Sequence, residues 1–182
     1  MPDYRRNRVP GGTYFFTVNL LDRSSDLLVA RIDDLRAAVR NVRIKHAFHI
    51  DAWVVLPDHM HAVWTLPAGD CNYSARWRGI KTAFSKALPK LEALSAVRVA
   101  RGERGVWQRR FWEHTIRDER DYAAHVDYVH INPVKHGLVH TVSEWPYSSF
   151  HRCVARGVYA ADWAGQGVPH LGADERDHSP PK

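Results

Sequence analysis

Two runs of strand-forming residues stand almost end to end in the middle of this chain, FHIDAWVVL (48–56) and HMHAVWTL (59–66), with only Pro57-Asp58 between them. Each is short and rich in β-branched and aromatic residues, and each is bounded by turn residues, so both read as strands. Pro57-Asp58 breaks the first run. A connection this brief makes the two strands an antiparallel hairpin. The remaining elements must be arranged around that pair.

Upstream, Pro10-Gly11-Gly12 signals a turn, and TYFFTVNL (13–20) reads as a buried strand. IDDLRAAVRNVRIKH (32–46) spaces Leu35, Val39 and Val42 as an amphipathic helix does. Downstream, 73–88 predicts a helix with Trp77, Ile80 and Phe84 on one face. Residues 106–116 predict a loop entering a fourth strand. Asp118 is placed to cap a helix over 119–131, which Asn132-Pro133 is expected to interrupt before a short piece at 134–138. EWPYSSF (144–150) predicts an aromatic loop packed on the core. The order strand, helix, strand, strand, helix, strand, helix implies an α+β fold: a small antiparallel sheet with helices packed on one face.

Composition narrows the function classes. Of 182 residues 45% are hydrophobic and seven are Trp, which excludes disorder for most of the chain. No apolar stretch approaches the roughly 18 residues of a membrane span. The net charge of +6 favours a polyanionic partner. Cys71 and Cys153 stand far apart, with no CxxC, so neither a zinc site of usual spacing nor a disulfide framework is expected. The opening residues lack the apolar run of a signal peptide, and a cytoplasmic location is expected. Past Gly165 the composition turns to Gly, Pro, Asp and His, so residues 1–165 are expected to form one catalytic domain and 166–182 a flexible tail.

Three groups of residues could carry chemistry. His59 and His61 are two apart in a strand, so both imidazoles face the same way while Met60 faces the other. Such a pair can hold one metal ion, or can simply be polar residues on a solvated face. Tyr128 and Asn132 are four apart and share a helix face. A tyrosine hydroxyl can attack phosphorus once helped to ionise, and an amide oxygen can ligate a hard ion. The other reading makes Tyr128 a packed aromatic and Asn132 the polar stop before Pro133. Basic residues interleave with aromatics at Arg76, Arg78 and Lys81, and at Arg109 and Arg110 beside Trp107, Phe111 and Trp112. This suits single-stranded nucleic acid, or a solvated face over a tryptophan-rich core.

The segments GGTYFFTVNLLDR, AWVVLPDHMHAVWTLPAGD, RWRGIKTAF, VWQRRFWEHTIRDERDY, HVDYVHINPVKHGLV and WPYSSFHR occur in that order between about Tyr4 and Gly165. Together they resemble the REP-associated tyrosine transposases, a branch of the single-tyrosine HUH transposases. The resemblance implies a ferredoxin-like antiparallel sheet and a metal-dependent single-strand DNA endonuclease and strand transferase. It implies His59, His61 and Asn132 as ligands of Mg²⁺ or Mn²⁺, and Tyr128 as the nucleophile that forms a 5′-phosphotyrosine link. Tyr122, six residues earlier, falls on another face of the helix. The implied partners are single-stranded REP-like hairpins with flanking guide bases, handled at the nucleoid. A monomer is favoured over the helix-exchanging dimers of insertion-sequence relatives. Tyr4, Arg5, Arg6, Arg76, Arg78, Lys81, Arg109, Arg110, Lys135 and His136 are the candidate DNA contacts.

Two other classes compete. A non-catalytic nucleic-acid-binding regulator would keep the basic surface but need neither Tyr128 nor a metal. A barrel hydrolase using His-x-His would need about 250 residues and a different order of elements.

Overall fold

The computed structural model describes residues 6–90 and 95–165. The expected tail at 166–182, and the candidate contacts Tyr4 and Arg5, lie outside them. The chain runs β1 (Thr13–Asn19), α1 (Leu27–Ala30), α2 (Ile32–Lys45), β2 (His49–Val55), β3 (His59–Thr65), α3 (Tyr73–Ala87), α4 (Ala96–Ala100), β4 (Trp112–Thr115), α5 (Glu119–Lys135), a 3-10 turn (Val142–Glu144) and α6 (Phe150–Ala155). The strands form one sheet in the order β2-β3-β1-β4, with all neighbours antiparallel. The expected α+β class, the antiparallel sheet and the β2–β3 hairpin are therefore present.

The expectation that helices cover one face needs correcting. Tyr14, Phe16 and Val18 of β1 join Met60, Ala62 and Trp64 of β3 in a core with Leu35, Ala38 and Val42 of α2 and Trp77, Ile80 and Phe84 of α3. The Trp64 and Trp77 rings stack there at 4.1 Å. Phe15, Val54 and Val63 point the other way, into a second core with Val126, Tyr128 and Val129 of α5. Helices thus lie on both faces, because β1 is apolar on both. Its near-continuous apolar run signals two-sided burial.

α2 and α3 approach closely at Gly79, where an added Cβ would stand 3.0 Å from Val42 Cγ2. Asp118 caps α5 as expected, its carboxylate accepting the Asp121 N–H at 2.8 Å. Asn132-Pro133 does not interrupt the helix, which continues to Lys135 with Pro133 inside it. Pro133 falls in the last turn, where its missing N–H forfeits a single helical bond. The end is then closed by Gly137 at φ +67°, with Gly137 N–H on the Val134 carbonyl at 2.9 Å and Leu138 N–H on the Pro133 carbonyl at 3.0 Å. That is the paired bonding of a glycine-terminated helix.

The aromatic loop packs on the sheet edge as expected. Trp145 Nε1 donates to the Val55 carbonyl at 2.9 Å, Val55 N–H to the Tyr147 carbonyl at 2.9 Å, and Ser149 N–H to the Trp53 carbonyl at 2.8 Å. Ser149 Oγ accepts the Trp53 N–H at 2.8 Å and lies 2.9 Å from His130 Nε2 on α5. Burial pushes His130 down to about 4. In the unfolded chain this imidazole takes a proton below about 6.5, whereas the folded protein refuses it until about 4. Stability should therefore fall as pH drops through that window, by on the order of 3 kcal/mol from this group. Urea unfolding at several pH values should show a shallower decline for His130→Gln than for the parent chain.

Candidate functional site

β3 starts directly after the Pro57-Asp58 turn, and its alternation sends Met60 into the tryptophan core and both flanking histidines toward α5. His59 and His61 are 5% and 3% exposed, and their rings meet edge to face at 5.1 Å. Each has its Nδ1 occupied. His59 Nδ1 lies 2.7 Å from Asp58 Oδ1. His61 Nδ1 lies 2.9 Å from Oγ1 of Thr17, its register partner on β1. These partners fix the ring orientations, and with the proton on Nδ1 they leave each Nε2 as an unprotonated donor. Metal-bound histidines are usually oriented in this way. Neither Nε2 has a hydrogen-bond partner among the described residues.

Asp58 is itself held. Burial alone would raise its carboxyl, but His59 and the guanidinium of Arg23 outweigh that and bring it to about 2. Arg23 pairs with Asp58 through Nε and lies 3.4 Å from His59 Nδ1. His61 is pushed well below the ordinary histidine value, first by burial and then by the neighbouring basic groups. It is neutral at physiological pH, as a metal ligand must be.

α5 crosses this face of the sheet and brings Tyr128 against the pair. The Tyr128 ring lies 5.4 Å from His61 and 5.8 Å from Phe15, with Lys135 Nζ 4.2 Å over it. Asn132 follows one turn later, 1% exposed. Its Nδ2 donates to the Tyr128 carbonyl at 3.0 Å, so Oδ1 is the atom left to ligate. His136 closes the group, its ring 4.9 Å from His59, and burial, followed by the basic groups beside it, lowers it too. Tyr122 is engaged elsewhere. A bulge between Ile50 and Ala52 accompanies a 3.1 Å bond from the Tyr122 hydroxyl to Asp51. Burial and then that carboxylate push Tyr122 up to about 12.

The expected DNA contacts divide. Lys135 and His136 belong to the site just described. Arg78, Arg109 and Arg110 are exposed. Arg6 lies 4.3 Å over the Phe111 ring, and Lys81 Nζ lies 5.9 Å from the same ring. Lys81 donates to the Gln108 carbonyl at 2.7 Å, and burial with nearby Arg6 lowers it to about 8. Arg76 must be withdrawn from the surface set. It is 2% exposed and spans the Asn72 carbonyl, the Ala47 carbonyl and Asp70 at 3.1, 2.6 and 2.7 Å, tying α3 to the segment that leads into β2. Its helical position looks solvent-facing in the sequence only because the Ala47 segment that covers it is distant in the chain.

Sequence reasoning passed over Asp58, Thr17 and Arg23. Asp58 was visible beside His59 but read only as a turn residue, and Thr17 needs the strand register to be found. It also passed over a network at the start of α5, where the ligand atoms of His114, Asp121 and His125 lie within 4.8 Å of one another. The two rings there stack nearly parallel, 14° apart at 4.6 Å, so their lone pairs do not converge on one point. Asp121 also accepts from Arg117 at 2.9 Å. This network braces the first turn of α5 against β4.

No family model matches the chain. It is 52% identical to a REP-associated tyrosine transposase of Escherichia coli (strain K12), over 97% of this chain and 98% of that protein. It is 46% identical to a Haemophilus influenzae protein placed in the same family, over 91% of this chain and 94% of that protein. A solved structure of the REP-associated tyrosine transposase bound to a REP hairpin superposes with a TM-score of 0.83 at 51% identity, covering 98% of this chain and all of that one.

The Asp58–His59 bond should be felt as metal affinity. Asp58→Ala is expected to weaken Mn²⁺ binding about 10- to 100-fold, measured by calorimetry on the isolated protein. An unchanged affinity would separate Asp58 from the ligand role expected of His59.

Proposed function

The chain belongs to the REP-associated tyrosine transposases, a family of DNA transposases, and on that premise we propose that it cuts and rejoins single-stranded DNA at REP-type hairpins through Tyr128. The observation that carries this reading is one juxtaposition: Tyr128 stands against a buried imidazole pair whose Nδ1 atoms are both taken and whose Nε2 atoms are both open. His59, His61 and Asn132 would hold a divalent ion. Two nitrogens and an oxygen suit Mn²⁺ slightly better than Mg²⁺. When bound, such an ion neutralises charge that grows on the scissile phosphate.

Within this reading, the Tyr128 oxygen forms a bond to phosphorus and the P–O3′ bond breaks. The phenolic proton is balanced by the one gained at the departing 3′-oxygen. The products are a 5′-phosphotyrosine and a free 3′-hydroxyl, and attack by a second 3′-hydroxyl reverses the step and joins strands. Lys135, 4.2 Å over the ring, puts positive charge where the phenolate and phosphate carry negative charge. Tyr122 makes a poor competitor, because ionising it would set a second negative charge against Asp51. Arg6, Arg78, Lys81, Arg109, Arg110 and His136 are proposed to meet the phosphates of the hairpin and its flanking guide bases. Tyr128 and the imidazole pair can be supplied by one chain, and the protein is proposed to act as a monomer.

The test is a cleavage assay on hairpin oligonucleotides, scored for a denaturation-resistant protein–DNA adduct. Chelation should remove the adduct, and Mn²⁺ or Mg²⁺ should restore it. Tyr128→Phe should lower its yield by on the order of 10³-fold or more while hairpin binding persists. An adduct that survives in Tyr128→Phe would overturn the assignment of the nucleophile.

A further inference from the structure

On the face of the sheet opposite Tyr128, α2, β2 and residues 146–149 enclose an open groove of about 290 Å³. That volume stands at the small end of ligand pockets, the scale of one nucleoside. Its walls are apolar and aromatic, with Trp53 and Tyr147 among them. Its charged lining residues are Arg36, Arg40 and Arg152, and none of the residues that line it is acidic. Arg36 and Arg40 are four apart on α2 and so share one side of the helix. Arg36 donates to Asp33 at 3.3 Å, and Asp33 is itself largely in solvent. Arg40 is exposed and has no partner among the described residues. Arg152 is fixed at the rim by the carbonyls of Ile50 and Asp51 at 2.8 and 3.1 Å. Trp53 is 9% exposed, so only part of its ring faces the groove.

An occupant that fits must offer negative charge to the arginines and a flat apolar body to the walls. A nucleotide offers both, as in the aromatic-and-basic grooves that hold single strands. Val55, at the β2 end of the groove, pairs with Met60, the residue between His59 and His61. The groove therefore lies one sheet thickness behind the histidine pair, and the way from one to the other passes over residues 146–149, which bond to the β2 edge. On the premise that Tyr128 cuts single-stranded DNA, we propose that this groove takes an unpaired nucleotide of the same strand, its base against Trp53 and Tyr147 and its phosphates on Arg36 and Arg40.

Photo-crosslinking tests this with hairpin oligonucleotides carrying 5-iodouracil at successive unpaired positions, followed by peptide mapping. Binding of the parent chain and of Arg36→Glu/Arg40→Glu is measured in parallel across a salt series, with flanked and blunt hairpins. One flank position should crosslink to Trp53 or Tyr147. The double variant should bind the flanked hairpin at least 10-fold more weakly and the blunt one equally well. Its salt slope should fall by about 0.7 for each phosphate no longer neutralised. Crosslinks confined to other segments, with unchanged affinity, would overturn the groove even if the Tyr128 adduct forms normally. Groove crosslinks without any adduct would uphold it and sink the proposed chemistry instead.

Discussion

The pairing register of β1 with β3 is the constraint on which both cores and the site depend. In this register Thr17 faces His61 and Phe16 faces Ala62. One face of β3 therefore feeds Met60, Ala62 and Trp64 to the tryptophan core, and the other feeds His59, His61 and Val63 to α5. A slip of one residue would exchange the faces. It would drive two imidazoles into the tryptophan core without partners and turn Trp64 and Met60 toward α5, away from Trp77, so hydrophobic packing enforces the placement of the polar pair. The catalytic candidates need no separate device to hold them in place.

The electrostatics of the site follow from that burial. Among the described residues, Asp58 is the carboxylate that stands with Arg23, His59, His61 and His136. Burial and mutual repulsion keep His61 and His136 neutral, while Asp58 and Arg23 anchor the turn before His59. Such a site is prepared for negative charge to arrive from outside, as a phosphodiester would bring it. Thr17 directs His61 without adding charge, whereas Asp58 both directs His59 and brings a negative charge beside it.

What could be read from the sequence was what depends on short-range pattern. The hairpin follows from two β-rich runs and a Pro-Asp break, α2 and α3 from helical spacing, the cap of α5 from Asp118, and the pairing of His59 with His61 from alternation alone. What escaped depends on neighbours distant in the chain. Arg76 reads as surface until Ala47 covers it, and Thr17 has no visible link to His61 until the strands pair. The second apolar face of β1 was in plain view in TYFFTVNL, but its consequence, a helix on each side of the sheet, requires knowing that α5 returns there. Pro133 was given too much weight. A proline in the last turn of a helix removes one bond, and the glycine closure after it supplies two.

α5 is the element that turns this scaffold into a site, and it is fastened along its whole length. Asp118 and the His114–Asp121–His125 network hold its first turns. Val126 and Val129 pack it on the sheet, His130 reaches Ser149, and Gly137 closes its end. The side chains that matter most, Tyr128, Asn132 and Lys135, lie between those fastenings at steps of three and four, on one side of the helix. A tyrosine mounted on so restrained a helix is held in place before any substrate arrives, which is what the nucleophile role proposed for Tyr128 requires, since less entropy is then lost in reaching the reactive geometry. The same fastening bears on the proposed monomer: an α5 exchanged with a second copy would have to break the Asp121, Val129 and His130 contacts and remake them across an interface.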